Sequence, residues 1–174
     1  MAQAKRALII VNLKTYKEAT GENAVKLAKM CESAAREIKK AKIAVAVQAT
    51  DISRVASAVD TKLISVFAQH IDANGQGKST GFVTAEAAKG AGATGTLLNH
   101  AEHKITDIAK RIAIAKAAGL MTVVCAASLA DAKSLASLTP FPDYIAIEPP
   151  ELIGGNVSVS KAKPELIAAA VEAI

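Results

Sequence analysis

The chain has 174 residues, 51% of them apolar, and a formal net charge of +5 from 21 basic and 16 acidic side chains. That length suits one domain and is ample to bury a core. Aromatic residues make up 3% of the chain, too few for the ring platforms that grip single-stranded nucleic acid. The basic residues are scattered, with Lys39 and Lys40 the one adjacent pair that stands out, so the charge reads as mild attraction for small anions and not as a nucleic-acid footprint.

Cys31 and Cys125 lie far apart and have neither zinc spacing nor the pattern of a disulfide framework, which fits a reducing compartment. The apolar run 7–11, behind Lys5 and Arg6, is too short for a signal-peptide core, and no stretch approaches a membrane span. The expectation is a soluble cytoplasmic protein without a membrane or nucleic-acid partner.

Residues 7–11 (Ala-Leu-Ile-Ile-Val) read as a fully buried strand. It ends on Asn12 and Lys14, alternate positions that share one face of an extended chain. A helical stripe of Val25, Leu27, Ala28, Cys31, Ala35 and Ile38 follows within 23–40. Residues 43–47 form a second strand, and Thr50 or Asp51 is placed to cap a short helix. Residues 63–68 form a third. The loop that opens at Gln69 and closes at Gly81 is long, polar and glycine-bearing, the kind that usually carries function or disorder. Thr84 caps the helix after it.

Residues 95–98 make a fourth strand, ending on Asn99, His100, Ala101 and Glu102, and a helix then runs to Ala118 with Gly119 as its stop. Residues 121–125 make a fifth, with Cys125 a small buried hydrophobe and Ser128 at the start of the next helix. The sixth strand starts at Tyr144 and ends on Glu148, where Pro149 and Pro150 stiffen a loop that closes on Gly154 and Gly155. Pro164 fits the first turn of a last helix. Strands and helices alternate strictly through six units, as parallel βαβ units do, with no linker or low-complexity segment.

Function in parallel α/β folds gathers at the carboxyl ends of the strands. Sorted that way, the rim offers Asn12 and Lys14 from the first strand, Asn99, His100 and Glu102 from the fourth, and Glu148 from the sixth. Taken singly, each is more simply a solvated strand end, because charged groups are mostly exposed. Together they make a proton-transfer set. A carboxylate removes a proton from carbon beside a carbonyl, a neutral imidazole polarises that carbonyl, and an ammonium stabilises the enediolate charge. His70 and His103 read as surface or supporting residues.

The same residues resemble the triosephosphate isomerase family, in its archaeal style. Asn12-Leu13-Lys14 is similar to the family's Asn-x-Lys motif, His100-Ala101-Glu102 to its His-(Ser/Ala)-Glu motif, and Glu148-Pro149-Pro150 through Gly154 to its catalytic carboxylate and mobile loop. Gln69-His70 and Ser79-Thr80-Gly81 match its third loop. Four motifs in register span the whole chain. The resemblance implies an α/β TIM (β/α)8-type barrel, here six βα units in a single partial domain covering 1–174, without the last two units. It implies interconversion of dihydroxyacetone phosphate and D-glyceraldehyde 3-phosphate, a glycolytic and gluconeogenic step, with no metal or organic cofactor. By the same resemblance Glu148 is the base and His100 the electrophile, kept neutral by a helix beginning just after it. Lys14 supplies positive charge, Asn12, Gly154 and Gly155 bind substrate, and Glu102 supports from behind. The loop from Gln69 to Gly81 lies at the interface of a homo-oligomer. Departures are Ala101 in place of the frequent serine and Gly154-Gly155-Asn156 in place of a common Gly-Thr-Gly. The competing readings are a non-catalytic barrel fragment that associates through open sheet edges, and another phosphosugar isomerase.

Overall fold

The computed structural model describes residues 7–38, 40–149, 152 and 158–173. Its strands are β1 (Ala7–Asn12), β2 (Ala41–Val47), β3 (Ile64–Ala68), β4 (Gly95–Leu98), β5 (Met121–Ala126) and β6 (Tyr144–Ile147). They lie side by side in chain order in one six-stranded sheet, every neighbouring pair parallel. The helices are α1 (Glu22–Glu37), α2 (Ile52–Ala58), α3 (Ala85–Gly90), α4 (Ile108–Ala117), α5 (Leu129–Ala136), α6 (Val159–Ala162) and α7 (Pro164–Ala173). This is the open, curled arc of the first six units of a β/α barrel, as the sequence implied. The short α6 was not foreseen.

Alternation along each strand creates two apolar surfaces. Ile43, Val45 and Val47 of β2, Val66 and Ala68 of β3, Leu98 of β4 and Val124 of β5 face outward, into the main core shared with the helices. Ala44, Ala46, Phe67, Leu97 and Val123 face inward, joined by Leu8, Ile10 and Ala146, so all six strands feed one interior cluster. Strands flanked on both faces read as near-continuous apolar runs, and β2 to β5 do, each with a single polar position. The interior is tight at Gly95, where a Cβ would meet the Phe67 ring at 2.7 Å.

The fully buried first strand is corrected. β1 is an edge strand, and its outer face carries Ile9 at 44% and Val11 at 36% exposure. The helix that follows β1 packs against β2 and β3, which leaves that face uncovered. Of the expected caps, Thr84 accepts from the Ala87 N–H at 3.2 Å and Ser128 from the Asp131 N–H at 3.1 Å. Neither Thr50 nor Asp51 caps α2 with its side chain. The Asp51 carboxylate accepts the Gly21 N–H at 2.9 Å and pairs with Arg54, tying the start of α1 to that of α2.

Candidate active site

Asn12 ends β1 on the same face as Leu8 and Ile10, so its amide stands at the mouth of the interior. The chain then turns sharply. Lys14 has φ 54°, a left-handed conformation that costs a non-glycine residue about 1–2 kcal/mol. Two groups hold it there. The Asn12 Oδ1 accepts the Lys14 N–H at 3.0 Å, and Gln69, just past β3, lays its Nε2 against the Lys14 carbonyl at 2.9 Å. The same nitrogen lies 3.2 Å from Asn12 Oδ1 and 3.3 Å from the Ala46 carbonyl. One amide thus gathers β1, β2 and β3 under the lysine.

From this turn Lys14 reaches across to β4. Its ammonium lies 2.9 Å from Glu102 Oε2 and 3.1 Å from His100 Nε2. The Lys14 hydrogen bond holds the Glu102 carboxyl below the usual carboxylate range. On the other side of the ring, the Glu102 backbone N–H lies 3.1 Å from His100 Nδ1. A backbone donor there requires Nδ1 to accept, which in a neutral ring assigns the proton to Nε2. An ammonium cannot accept from Nε2–H, so the Lys14–His100 approach is a meeting of two donors. An acceptor placed between them would be bound by both.

Glu148 follows β6, fixed by its own N–H donating to the Ala126 carbonyl at 2.8 Å. Its Oε2 lies 3.6 Å from His100 Nε2. That oxygen is buried and lacks a hydrogen-bond partner among the described residues, an expensive state for a carboxylate. Its neighbour is the Cys125 thiol. Burial first, and the Glu148 carboxylate second, push that thiol far above the ordinary range. Cys125 therefore stays protonated and offers only a weak S–H donor.

A cavity of about 670 Å³ opens beside the set, lined among others by Asn12, Lys14, Tyr16, Gln69, His100 and Glu102. Glu148 does not line it; the carboxylate approaches His100 from the β6 side. The structure thus brings Asn12, Lys14, His100, Glu102 and Glu148 to one rim. Gly154 and Gly155 lie outside the described residues. The helix expected directly after His100 is absent: α4 begins at Ile108, and turns occupy the interval. The macrodipole therefore does not act at the imidazole; the Glu102 N–H contacts the ring instead.

Three residues escaped the sequence reading. In the sequence Gln69 reads only as part of a loop, yet it directly follows the end of β3, the position that puts polar residues on the rim. The contact of Cys125 with Glu148 depends on β5 and β6 being neighbours. Arg111 of α4 donates to the Ile71 carbonyl at 2.6 Å and to Asp72 at 3.1 Å, and lies 2.8 Å from His70 Nε2, with Asp107 2.6 Å from its Nε. His103 stacks on His70 with centroids 3.8 Å apart. This cluster fastens the base of the long third loop to the segment bearing His100, and its residues are too far apart in sequence to announce it.

An open parallel β/α barrel with carboxylate, imidazole and ammonium on its carboxyl rim defines a class: barrel proteins equipped to move a proton beside a carbonyl. A family model described as triosephosphate isomerase matches residues 7–174. The triosephosphate isomerase of Methanococcoides burtonii is 46% identical over 171 residues, 97% of this chain and 75% of that protein. That of Methanothermus fervidus is also 46% identical over 171 residues, covering 97% and 74%. A crystal structure of triosephosphate isomerase from Bartonella henselae superposes with a TM-score of 0.63 at 25% identity, over 82% of this chain and 67% of that one. The chain belongs to the triosephosphate isomerase family, and spans about three quarters of the length of these curated relatives.

Proposed function

We propose that this chain interconverts dihydroxyacetone phosphate and D-glyceraldehyde 3-phosphate, with Glu148 as base, His100 as acid and Lys14 as the positive charge beside the reacting oxygen. The observation that carries the assignment of roles is the convergence on His100 Nε2, with Lys14 Nζ at 3.1 Å and Glu148 Oε2 at 3.6 Å. A carbonyl oxygen seated there accepts from Nε2–H and from the ammonium. Glu148 removes the proton from the adjacent carbon, the C–H pair becomes the enediolate double bond, and charge moves onto the bound oxygen. The imidazole passes its Nε2 proton to that oxygen and takes the proton of the neighbouring hydroxyl. Glu148 then returns its proton to the other carbon. Asn12 positions substrate, Gly154 and Gly155 offer N–H groups to the phosphate, and Glu102 holds Lys14 and the imidazole in register.

The test is steady-state isomerisation in both directions by the parent chain and by Glu148→Gln, with circular dichroism to confirm folding. Expected is a loss of about 10²–10⁴ in kcat for the variant with KM little changed. A folded variant with parental kcat, or a parent chain that isomerises no triose phosphate, overturns the proposal.

The same reading includes a second copy of the chain as partner, through the loop from Gln69 to Gly81. It is supported by Phe82 beside that loop, 51% exposed, and by Tyr16 at the cavity, 66% exposed, both large apolar surfaces to leave in water. Light scattering of Phe82→Asp should show a smaller particle than the parent. A cytoplasmic setting goes with it, since Cys31 and Cys125 are free thiols. Among the described residues no helix is long and apolar enough to cross a membrane.

A further inference from the structure

His100 and Glu148 sit at the ends of β4 and β6, and β5 runs between them. Their separation therefore depends on how the two outer strand ends dock onto β5. The β6 end is tied by backbone, through the Glu148 N–H on the Ala126 carbonyl at 2.8 Å. The β4 end is not. Its register with β5 closes at Leu98 opposite Val124, and the chain then breaks away at Asn99, whose φ is 57°. A backbone turned into the left-handed region no longer points its groups along the ladder.

The Asn99 side chain bridges the gap. Its Nδ2 donates to the Cys125 carbonyl at 2.9 Å, and its Oδ1 accepts the Ile105 N–H at 3.2 Å. The first bond continues the β4–β5 pairing by one step in side-chain form. The second closes the turn that carries His100 and Glu102. The residue gripped on β5 is the one whose thiol lies against Glu148. One carboxamide thus connects the acid's loop to the strand that flanks the base. Glycine would adopt the same φ more cheaply. The asparagine therefore contributes its two hydrogen bonds, not the turn alone.

We infer that Asn99 is a positioning residue for the isomerase reaction, fixing the distance between the His100 imidazole and the Glu148 carboxylate through the Cys125 carbonyl. The inference rests on the acid and base roles proposed above for those two residues. Three variants test it: Asn99→Gly, which keeps the backbone conformation and loses both bonds; Asn99→Asp, which keeps an acceptor for Ile105 and loses the donor to Cys125; and Glu148→Gln, which tests the underlying reading. In steady-state kinetics, folded Asn99→Gly and Asn99→Asp should both lose about 10- to 100-fold in kcat with KM within about threefold, since an ångström of misplacement costs on that order. A uniform loss of stability would not produce that split.

A second measurement does not need turnover. In the parent chain, Glu148→Gln should move the His100 ring nitrogen resonances, because the carboxylate and the ring are neighbours. On the Asn99→Gly background the same change should move them less than half as far. An undiminished shift, or a folded Asn99→Gly chain with kcat within twofold of the parent, overturns the inference. A parent-like kcat in Glu148→Gln instead overturns the assignment of the base, and the resonance comparison still decides whether Asn99 couples the two side chains.

Discussion

The backbone N–H of Glu102 points at Nδ1 of His100 from 3.1 Å, on the side of the ring away from Glu148. A main-chain donor cannot turn away as a side chain can, so it selects the tautomer more firmly than Lys14 does. Two-bond ¹H–¹⁵N spectra of the resting protein should show His100 with Nδ1 bare and Nε2 protonated. A ring protonated at Nδ1 would contradict the proposed acid.

Gln69 should matter more than its loop position suggests. Replacing it with leucine removes the amide from the Lys14 carbonyl, from Asn12 Oδ1 and from the Ala46 carbonyl. Asn12 Oδ1 and the Ala46 carbonyl keep backbone donors, but the Lys14 carbonyl loses its partner, which costs about 1–3 kcal/mol. It also frees Lys14 to leave its left-handed conformation. Urea titration should show a stability loss of that size, and KM for triose phosphate should rise. A variant as stable as the parent would refute this account of the turn.

Gly95→Ala should be costly for a reason visible only inside the arc. The new methyl would sit 2.7 Å from the Phe67 ring, which packs against the interior cluster and has no open side to retreat into. Overpacking of this kind costs about 1–3 kcal/mol. Phe67→Leu on the same background should return part of the loss in a double-mutant cycle, whereas additive losses would locate the strain elsewhere.

Asp72 gives a pH signature. Its carboxylate accepts the Val83 N–H at 2.8 Å and faces Arg111 and His70, each at 3.1 Å. Burial works against its ionisation, but those three donors prevail and hold the carboxyl below the usual carboxylate range. The unfolded value lies near 3.9. The stabilisation is therefore full above about pH 4 and is lost as pH falls through the lower folded value. Asp72→Asn should destabilise the chain by about 1–3 kcal/mol at pH 7, and the difference should shrink toward pH 2. A pH-independent difference would mean that the carboxylate's charge contributes nothing.

Much of the molecule was legible in one dimension. The run 43–47 is apolar at every position and 121–125 at every position but Thr122, which for short segments means strands covered on both faces. Their strict alternation with helical stripes leaves parallel βαβ units as the simplest arrangement. Asn12, Lys14, His100, Glu102 and Glu148 could be named because strand ends in such folds share a rim, and because their motifs resemble one family. These are consequences of local pattern, and local pattern is what a sequence carries.

Distances between residues remote in the chain are another matter. That Ile9 and Val11 of β1 would stand exposed depended on where α1 packs. That His100 would be oriented by a backbone N–H and not by a helix depended on how the chain turns before Ile108. Gln69 beneath Lys14, Asn99 on the Cys125 carbonyl and Arg111 on Asp72 all join different βα units. Each is a single polar group that finds its partner only after the sheet has curled. The sequence by itself determined which chemical groups stand on the rim, because alternation and strand ends put them there. Only the tertiary structure decided which of them touch, since hydrogen bonds form over about 3 Å and the order and curl of the strands set those separations.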